Sequence, residues 1–302
     1  MNTRHYLDIP DLSAEETRAI LRRARALKTR PVQPGLLAGR SLAMIFAKSS
    51  TRTRVSFEIA MTQMGGHALF LSSRDTQLGR GEPIADTARV ISRMADCVMI
   101  RNDSQADQAE FAAHSRVPVI NGLSELAHPC QILADVLTFE EHRGPIGGHR
   151  VAWVGDANNV CNSWARAAAL LGFELAVASP PGYALGAELA GLDGVSQVDS
   201  PAAAVAGATL VVTDVWSSMG QEAESARRAE AFASYQVDAA LMAQAQPDAL
   251  FMHCLPAHRG EEVAGAVIDG AQSVVWDEAE NRLHAQKGLL SFLLEVPEGA
   301  IE

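Results

Sequence analysis

The sequence predicts an α/β protein of two domains, each a mainly parallel β-sheet flanked by helices, with the active site in the interdomain cleft. Three observations carry this reading. The chain has 302 residues, and about 150 residues per domain is the ordinary expectation. Short apolar runs alternate with stretches of helical periodicity, the signature of βαβ units. A glycine-rich break, GPIGGH at 144–149, is followed by a second round of the same alternation.

In the first half, Ser13-x-x-Glu16 reads as a capping box, opening a helix with Ile20, Leu21, Ala24 and Leu27 on one face. Strand-like runs follow at 42–47, 68–71, 98–100 and 117–120. Helical stretches lie at 54–64, stopped by Gly65-Gly66, and at 83–94, with Ile84, Ala88 and Ile91 in register. His128-Pro129 starts a helix reaching about His142, with proline in the first turn. In the second half, strands are expected at 151–154, 174–178, 209–213, 249–253 and 273–275, with a helix at 163–171 closed by Gly172. The polar stretch 217–231 reads as a mobile functional loop because it is long for a plain connection. A last helix is expected at 287–294. The domains are therefore 1–143 and 144–286, with the C-terminal helix, about 287–302, packing back on the first.

Composition narrows the function. The hydrophobic fraction is 48% and the charged fraction 20%, ordinary for a globular chain. A net charge of −11 argues against nucleic acid or an anionic membrane surface as partner, though not against a local anion site. Cys97, Cys130, Cys161 and Cys254 have neither CxxC nor zinc-finger spacing, which suggests reduced thiols. The N-terminus carries no apolar h-region and no run of about 18 apolar residues occurs, so a cytoplasmic protein is expected.

Ligands of open parallel sheets bind beyond the carboxyl ends of the strands, and the chemically capable residues cluster there. KSSTRTRVSFE (48–58) leads Ser50, Thr51, Arg52 and Thr53 into a helix start. Free backbone N–H groups, hydroxyls and a guanidinium would face one point, which suits phosphate. The bland alternative is a Ser/Thr cap with exposed arginines; four consecutive donors favour the anion site. No GxxxxGK[ST] loop is present, which argues against a nucleotide triphosphatase. Arg101 ends a strand, as a second clamp or a solvated terminus. His128 and Gln131 lie about one turn apart at a helix start, able to engage a carbonyl and an amide, or merely to open a helix. Asp156, Asn158 and Asn159 fill the turn after a strand where a dinucleotide fold would need glycines; they form either an amino-acid-binding turn or a plain Asx turn. Asp214 ends another strand, as a partner for a substrate ammonium or a turn former. Cys254 ends a further one, as a pocket thiol or core. No Ser/His/Asp set or HExxH zinc motif is found.

With those residues in place, the chain resembles the aspartate/ornithine carbamoyltransferase family over essentially its whole length. The motifs run in order: STRTR at 50–54, Arg101, HPCQ at 128–131, GDANN at 155–159, DVWSSMG at 214–220 and HCLP at 253–256. The last two point to the ornithine branch. The resemblance implies transfer of the carbamoyl group of carbamoyl phosphate to the δ-amine of L-ornithine, giving L-citrulline and phosphate, a step of arginine biosynthesis. Its donor would be a mixed anhydride with a good leaving group, so neither metal nor organic cofactor is expected. It implies that Ser50, Thr51, Arg52, Thr53, Arg101, His128, Gln131 and Arg282 of the ENR segment bind carbamoyl phosphate, with Cys254 and Leu255 near the reacting centre. Gln77, in TQLG, is implied to reach a neighbouring subunit's site within a homotrimer or a multiple of trimers. Asn159, Asp214, Ser218 and Met219 are implied to bind ornithine, while Arg52, His128 and Cys254 are the implied catalytic residues. Two positions depart from the family pattern: Ala157, where glycine is common, and Ser217, where an apolar residue usually precedes SMG.

Overall fold

The computed structural model describes residues 3–72, 81–217 and 224–301. Two compact units form, one from residues 1–137 with 280–302, the other from 138–279. The division falls inside a helix, ahead of the glycine-rich break at 144–149, and the chain returns to the first unit in the middle of its last long helix.

The elements of the first unit are α1 (Ala14–Thr29), β1 (Ser41–Phe46), α2 (Thr51–Gln63), β2 (His67–Ser72), α3 (Ile84–Ile91), β3 (Cys97–Arg101), α4 (Gln105–His114), β4 (Val119–Leu123) and the start of α5 (Pro129–Arg143). The capping box of α1 forms as expected: Ser13 Oγ accepts from Glu16 N–H at 3.2 Å, and Glu16 Oε2 accepts from Ser13 N–H at 2.9 Å. Its buried face is Ile20, Leu21, Ala24 and Leu27. All strands of the sheet are parallel, in the order β2-β1-β3-β4. Successive connections leave to opposite sides of β1 and β3, so the topological switch lies between these two strands. Ala43, Ile45, Val98, Ile100 and Phe111 pack in one core cluster.

Helix α2 starts at Thr51 rather than at Arg54, because Ser50 caps it by accepting from Thr53 N–H at 3.3 Å. The STRTR residues therefore sit at the cap and in the first turn, where free N–H groups point outward. Gly65 ends α2 with φ of +84°, a conformation glycine adopts without a Cβ penalty.

The second unit contains the end of α5, then β5 (Arg150–Val154), α6 (Asn159–Leu171), β6 (Glu174–Ala178), α7 (Ala187–Ala190), β7 (Val195–Val198), α8 (Pro201–Val205), β8 (Leu210–Thr213), α9 (Ser225–Phe232), α10 (Ala239–Met242), β9 (Leu250–His253), α11 (Gly265–Ile268) and the start of α12 (Val275–Leu293). Its sheet is also parallel, in the order β7-β6-β5-β8-β9. The switch point here lies between β5 and β8. Ala152, Val154, Val211, Phe251, Val263 and Val275 belong to its core.

Four expectations are corrected. The run at 273–275 is not a strand: Ser273 makes one parallel bridge to Phe251, and Val275 already begins α12. The final helix consequently starts well before residue 287. The stretch 217–231 is not loop throughout, since 225–232 is α9 with Arg228 and Phe232 buried. Strand β7 was not expected, because its VSQV sequence has no apolar run; its pattern is partly exposed, as an edge strand allows. Among the described residues no helix is long and apolar enough to cross a membrane.

The turn after α2 tests this packing. A Cβ on Gly65 would lie 1.7 Å from the Pro34 carbonyl oxygen. Gly65→Ala is expected to destabilise the first unit by about 2–4 kcal/mol, combining the positive-φ penalty with overpacking. Chemical denaturation followed by circular dichroism measures it, and an unchanged midpoint would refute the close approach.

Candidate active site

The carboxyl ends of β1 and β3 deliver their donors to one place. Thr53, buried in the first turn of α2, is the meeting point. Its Oγ1 accepts from Arg101 Nη1 at 3.4 Å and from Arg282 Nη2 at 3.3 Å. Ser50 Oγ donates to the same oxygen at 3.1 Å. Arg101 is supplied by the end of β3 and Arg282 by α12, and both are buried. Arg52, half-buried, occupies the second position of α2, and Thr51, exposed, the first. The helix start adds its own partial positive charge. A phosphate, with oxygens accepting from several donors at once, fits this convergence.

His128 and Gln131 stand beside it at the start of α5. Gln131 is held at both ends of its amide: Oε1 accepts from Arg282 Nη1 at 2.6 Å, and Nε2 donates to Asp135 Oδ1 at 2.8 Å. The amide orientation is thereby fixed. His128 is buried, and burial, followed by the nearby charges of Arg282, Arg101 and Arg52, holds its pKa well below the ordinary 6.5. It stands as a neutral imidazole at neutral pH, suited to donating a hydrogen bond to a carbonyl oxygen.

The second unit places a buried carboxyl group at the switch between β5 and β8. Asp214, after β8, is buried and accepts three hydrogen bonds. Asn158 Nδ2 donates at 2.7 Å, Val215 N–H at 2.8 Å and the Cys254 thiol at 3.2 Å. Asn158 also caps α6, its Oδ1 accepting from Val160 and Cys161 N–H groups at 2.9 and 3.2 Å. Asn159 is the first residue of α6. Asp156, in the same turn, forms an ion pair with Arg228 of α9. Burial raises its carboxyl pKa to about 6; Arg228 opposes that shift and Asp214 adds to it. Arg228 also donates to the Trp216 carbonyl and lies over the Tyr183 ring, tying α9 to the segments after β8 and β6 as well.

Cys254 and Leu255 follow β9. Leu255 takes φ of +57°, a strained region for a branched residue, and its N–H donates to His253 Nδ1 at 2.9 Å. His253 Nε2 then carries the proton and faces Glu262 Oε1 at 3.0 Å. Asp214, His253 and Cys254 bring potential ligand atoms within 4.8 Å of one another. With one His253 nitrogen accepting and the other protonated, the ring has no lone pair to offer a cation.

Of the residues expected from the sequence, the structure brings together Ser50, Thr53, Arg101, Gln131 and Arg282 in one hydrogen-bonded set, with His128 within their field. It joins Asp214 and Cys254 in another. Gln77, Ser218 and Met219 lie outside the described residues. Asp135 and Arg228 were not expected as supporting groups. Asp135 sits inside an apolar helix with no motif of its own, and Arg228 sits in the polar run 217–231 that reads as a loop. Asn158, expected either to bind an amino acid or to form an Asx turn, caps α6 and holds Asp214.

One parallel-sheet unit carries a guanidinium-rich helix start, which suits an anion, and the other carries a buried carboxyl group, which suits a cation or a hydrogen-bond donor. The chain belongs to the aspartate/ornithine carbamoyltransferase family: the family's carbamoyl-phosphate-binding domain matches residues 4–141, and its aspartate/ornithine-binding domain matches 147–293. It is 61% identical to the ornithine carbamoyltransferase of Halorhodospira halophila, over 96% of this chain and 99% of that protein. The crystal structure of the Burkholderia thailandensis ornithine carbamoyltransferase superimposes with a TM-score of 0.88 at 55% identity, covering 96% of this chain and 98% of that one. The Pyrococcus furiosus enzyme of the same name gives 0.91 at 48% identity, covering 98% of each.

The state of His128 has a measurable consequence. Its folded pKa lies below 6.5, so the stability associated with the neutral ring is present above pH 6.5 and is lost as pH falls below it. His5 and His284 are shifted in the same direction, so comparison with a variant isolates the contribution. His128→Gln is expected to show a shallower loss of stability between pH 6.5 and 5 than the parent, in denaturation series at fixed ionic strength. Parallel curves would contradict the buried neutral imidazole.

Proposed function

We propose that this protein transfers the carbamoyl group of carbamoyl phosphate to the δ-amine of L-ornithine, releasing L-citrulline and phosphate. The observation that carries the reading is the convergence of Arg101 and Arg282 on Thr53, at the start of a helix whose next residues include Arg52. A second observation supports it: Asp214 is buried in the unit matched by the family's aspartate/ornithine-binding domain.

In this reading Ser50, Thr51, Arg52, Thr53, Arg101 and Arg282 hold the phosphate, and the guanidiniums stabilise charge as the anhydride C–O bond breaks. Neutral His128, with Arg52, donates to the carbamoyl oxygen. Gln131, its amide set by Arg282 and Asp135, orients the carbamoyl NH₂. Asp214 and Asn159 hold the amino-acid end of ornithine, together with Ser218 and Met219, and Leu255 borders the reacting centre. The attacking δ-amine has an unperturbed pKa of about 10.4 by analogy with lysine, so the productive complex takes its neutral form. The amine nitrogen attacks the carbamoyl carbon, phosphate leaves, and the departing phosphate can take the surplus proton. Cys254, its thiol donating to Asp214 Oδ1, acts as a neighbour of the amine and not as a covalent nucleophile. Holding two reactants in line supplies a large part of the rate.

We also infer a homotrimer or a multiple of trimers, with Gln77 reaching a neighbouring subunit's site. The exposure of Val55 and Ile59 on α2 and of Leu69 and Phe70 on the edge strand β2 supports an apolar interface on this unit, and Leu69 and Phe70 precede Gln77 by only a few residues in sequence. Light scattering that gives a monomer would remove it.

A side-by-side assay with ornithine, putrescine and N-acetylornithine tests the substrate. Turnover is expected with ornithine alone, and a preference for either other amine would replace the reading. Arg52→Ala should lower kcat/KM for carbamoyl phosphate by about a hundredfold or more, the scale of one lost transition-state donor. Asp214→Ala should raise the ornithine KM by about a hundredfold while moving the carbamoyl-phosphate KM far less, as expected for a buried charge-assisted contact of about 3 kcal/mol. Initial-rate kinetics with each substrate varied in turn read both effects.

A further inference from the structure

Lys287 is completely buried, yet both of its hydrogen-bond acceptors are neutral. Its Nζ donates to the Pro31 carbonyl at 2.8 Å and to the Gln63 side-chain oxygen. No ion pair includes it among the described residues. Burial accordingly pushes its pKa down to about 8. An unbranched apolar side chain would fill the same space without desolvating an ammonium. Structural filling alone therefore gives no reason for the charge.

Its place in the fold supplies one. Helix α12 lies on α1 at close range: a Cβ on Gly288 would stand 2.5 Å from the Ile20 carbonyl oxygen. Lys28 Nζ donates to Asn281 Oδ1 at 2.9 Å on the same side. These contacts seat α12 against α1 and leave its relation to α2 to other groups. Two basic side chains of α12 meet α2, at opposite ends. Arg282 reaches Thr53 in the first turn, and Lys287 reaches Gln63, the last residue. Through Pro31, Lys287 also binds the segment that leaves α1.

We infer that Lys287 is a positioning residue for the anion site: by tying α12 to the far end of α2, it sets the reach of Arg282 onto Thr53 and Gln131. This rests on the carbamoyl-phosphate reading of that site. The role is indirect, because Lys287 touches none of the groups assigned to the substrate.

The test uses Lys287→Met in the full chain, with far-UV circular dichroism as the check on folding. The expected result is a rise of about tenfold in the KM and dissociation constant for carbamoyl phosphate, the effect of about 1.4 kcal/mol. The ornithine KM should stay within about twofold, the usual margin of independent effects. In an Arg282→Met background, the same substitution should add less than about twofold, because Lys287 acts through Arg282. An unchanged carbamoyl-phosphate KM in folded Lys287→Met would overturn the inference. So would effects that multiply in the double variant, which mark a general structural role. If Lys287→Met does not fold, Gln63→Met removes the contact from the α2 side and must show the same split between substrates; no split overturns the inference. Failure of the parent protein to make citrulline would instead refute the functional reading, and so is distinguishable from either result.

Discussion

Arg101 and Arg282 present guanidinium groups to one hydroxyl oxygen, and two unit charges about 4 Å apart repel by about 4 kcal/mol at an effective dielectric of 20. Such a pair persists in a folded chain only when other interactions hold it, and much of the first unit does so. Helix α2 is capped by Ser50 so that Thr53 faces the cations, and Gln131 accepts from Arg282 while handing its own donor to Asp135. Asp135 is the buried carboxyl group that closes this chain of contacts, two hydrogen bonds removed from the guanidinium. The result is a preorganised positive field, available to an incoming anion without rearrangement of the donors. Burial first, and then this field, keeps His128 uncharged, which makes it a hydrogen-bond donor in place of a further cation.

The second unit reaches the complementary state by a different route. Among the described residues no arginine pairs with Asp214; its carboxyl group is held by an amide, a backbone N–H and a thiol. Neutral donors fix its direction. The cationic neighbour is assigned elsewhere, with Arg228 engaged by Asp156. An anion site in one unit and a cation site in the other match the charges of a phosphorylated donor and an amino acid. The chain's total of −11 carries no trace of that division.

How legible this was depends on whether the partners are near in sequence. Ser50 to Thr53 could be read directly, because a strand followed by four donors and a helix is a local pattern. Arg282 could not be derived that way, since it meets Thr53 across 229 positions; only its resemblance to a family motif marked it. Periodicity failed where burial is imposed from outside. Arg228 sits in a polar run but is buried by the Asp156 pair and the aromatic rings of Tyr183 and Phe232. Ser273 to Val275 has strand-like residues, yet one bridge exhausts its pairing before α12 begins. Asp135 was invisible because a carboxylate inside a helix gives no signal until its partner is known.

The first unit is assembled from two separated stretches of chain, the second coming after residue 279. During synthesis on the ribosome, β1 to β4 emerge long before α12, so the Thr53 site then lacks Arg282 and α1 lacks the helix that covers it. Residues 280–302 act as a late keystone: the positive pocket is completed only after the carboxylate unit has been made. A nascent chain therefore cannot assemble the full anion site ahead of the half intended to receive the acceptor.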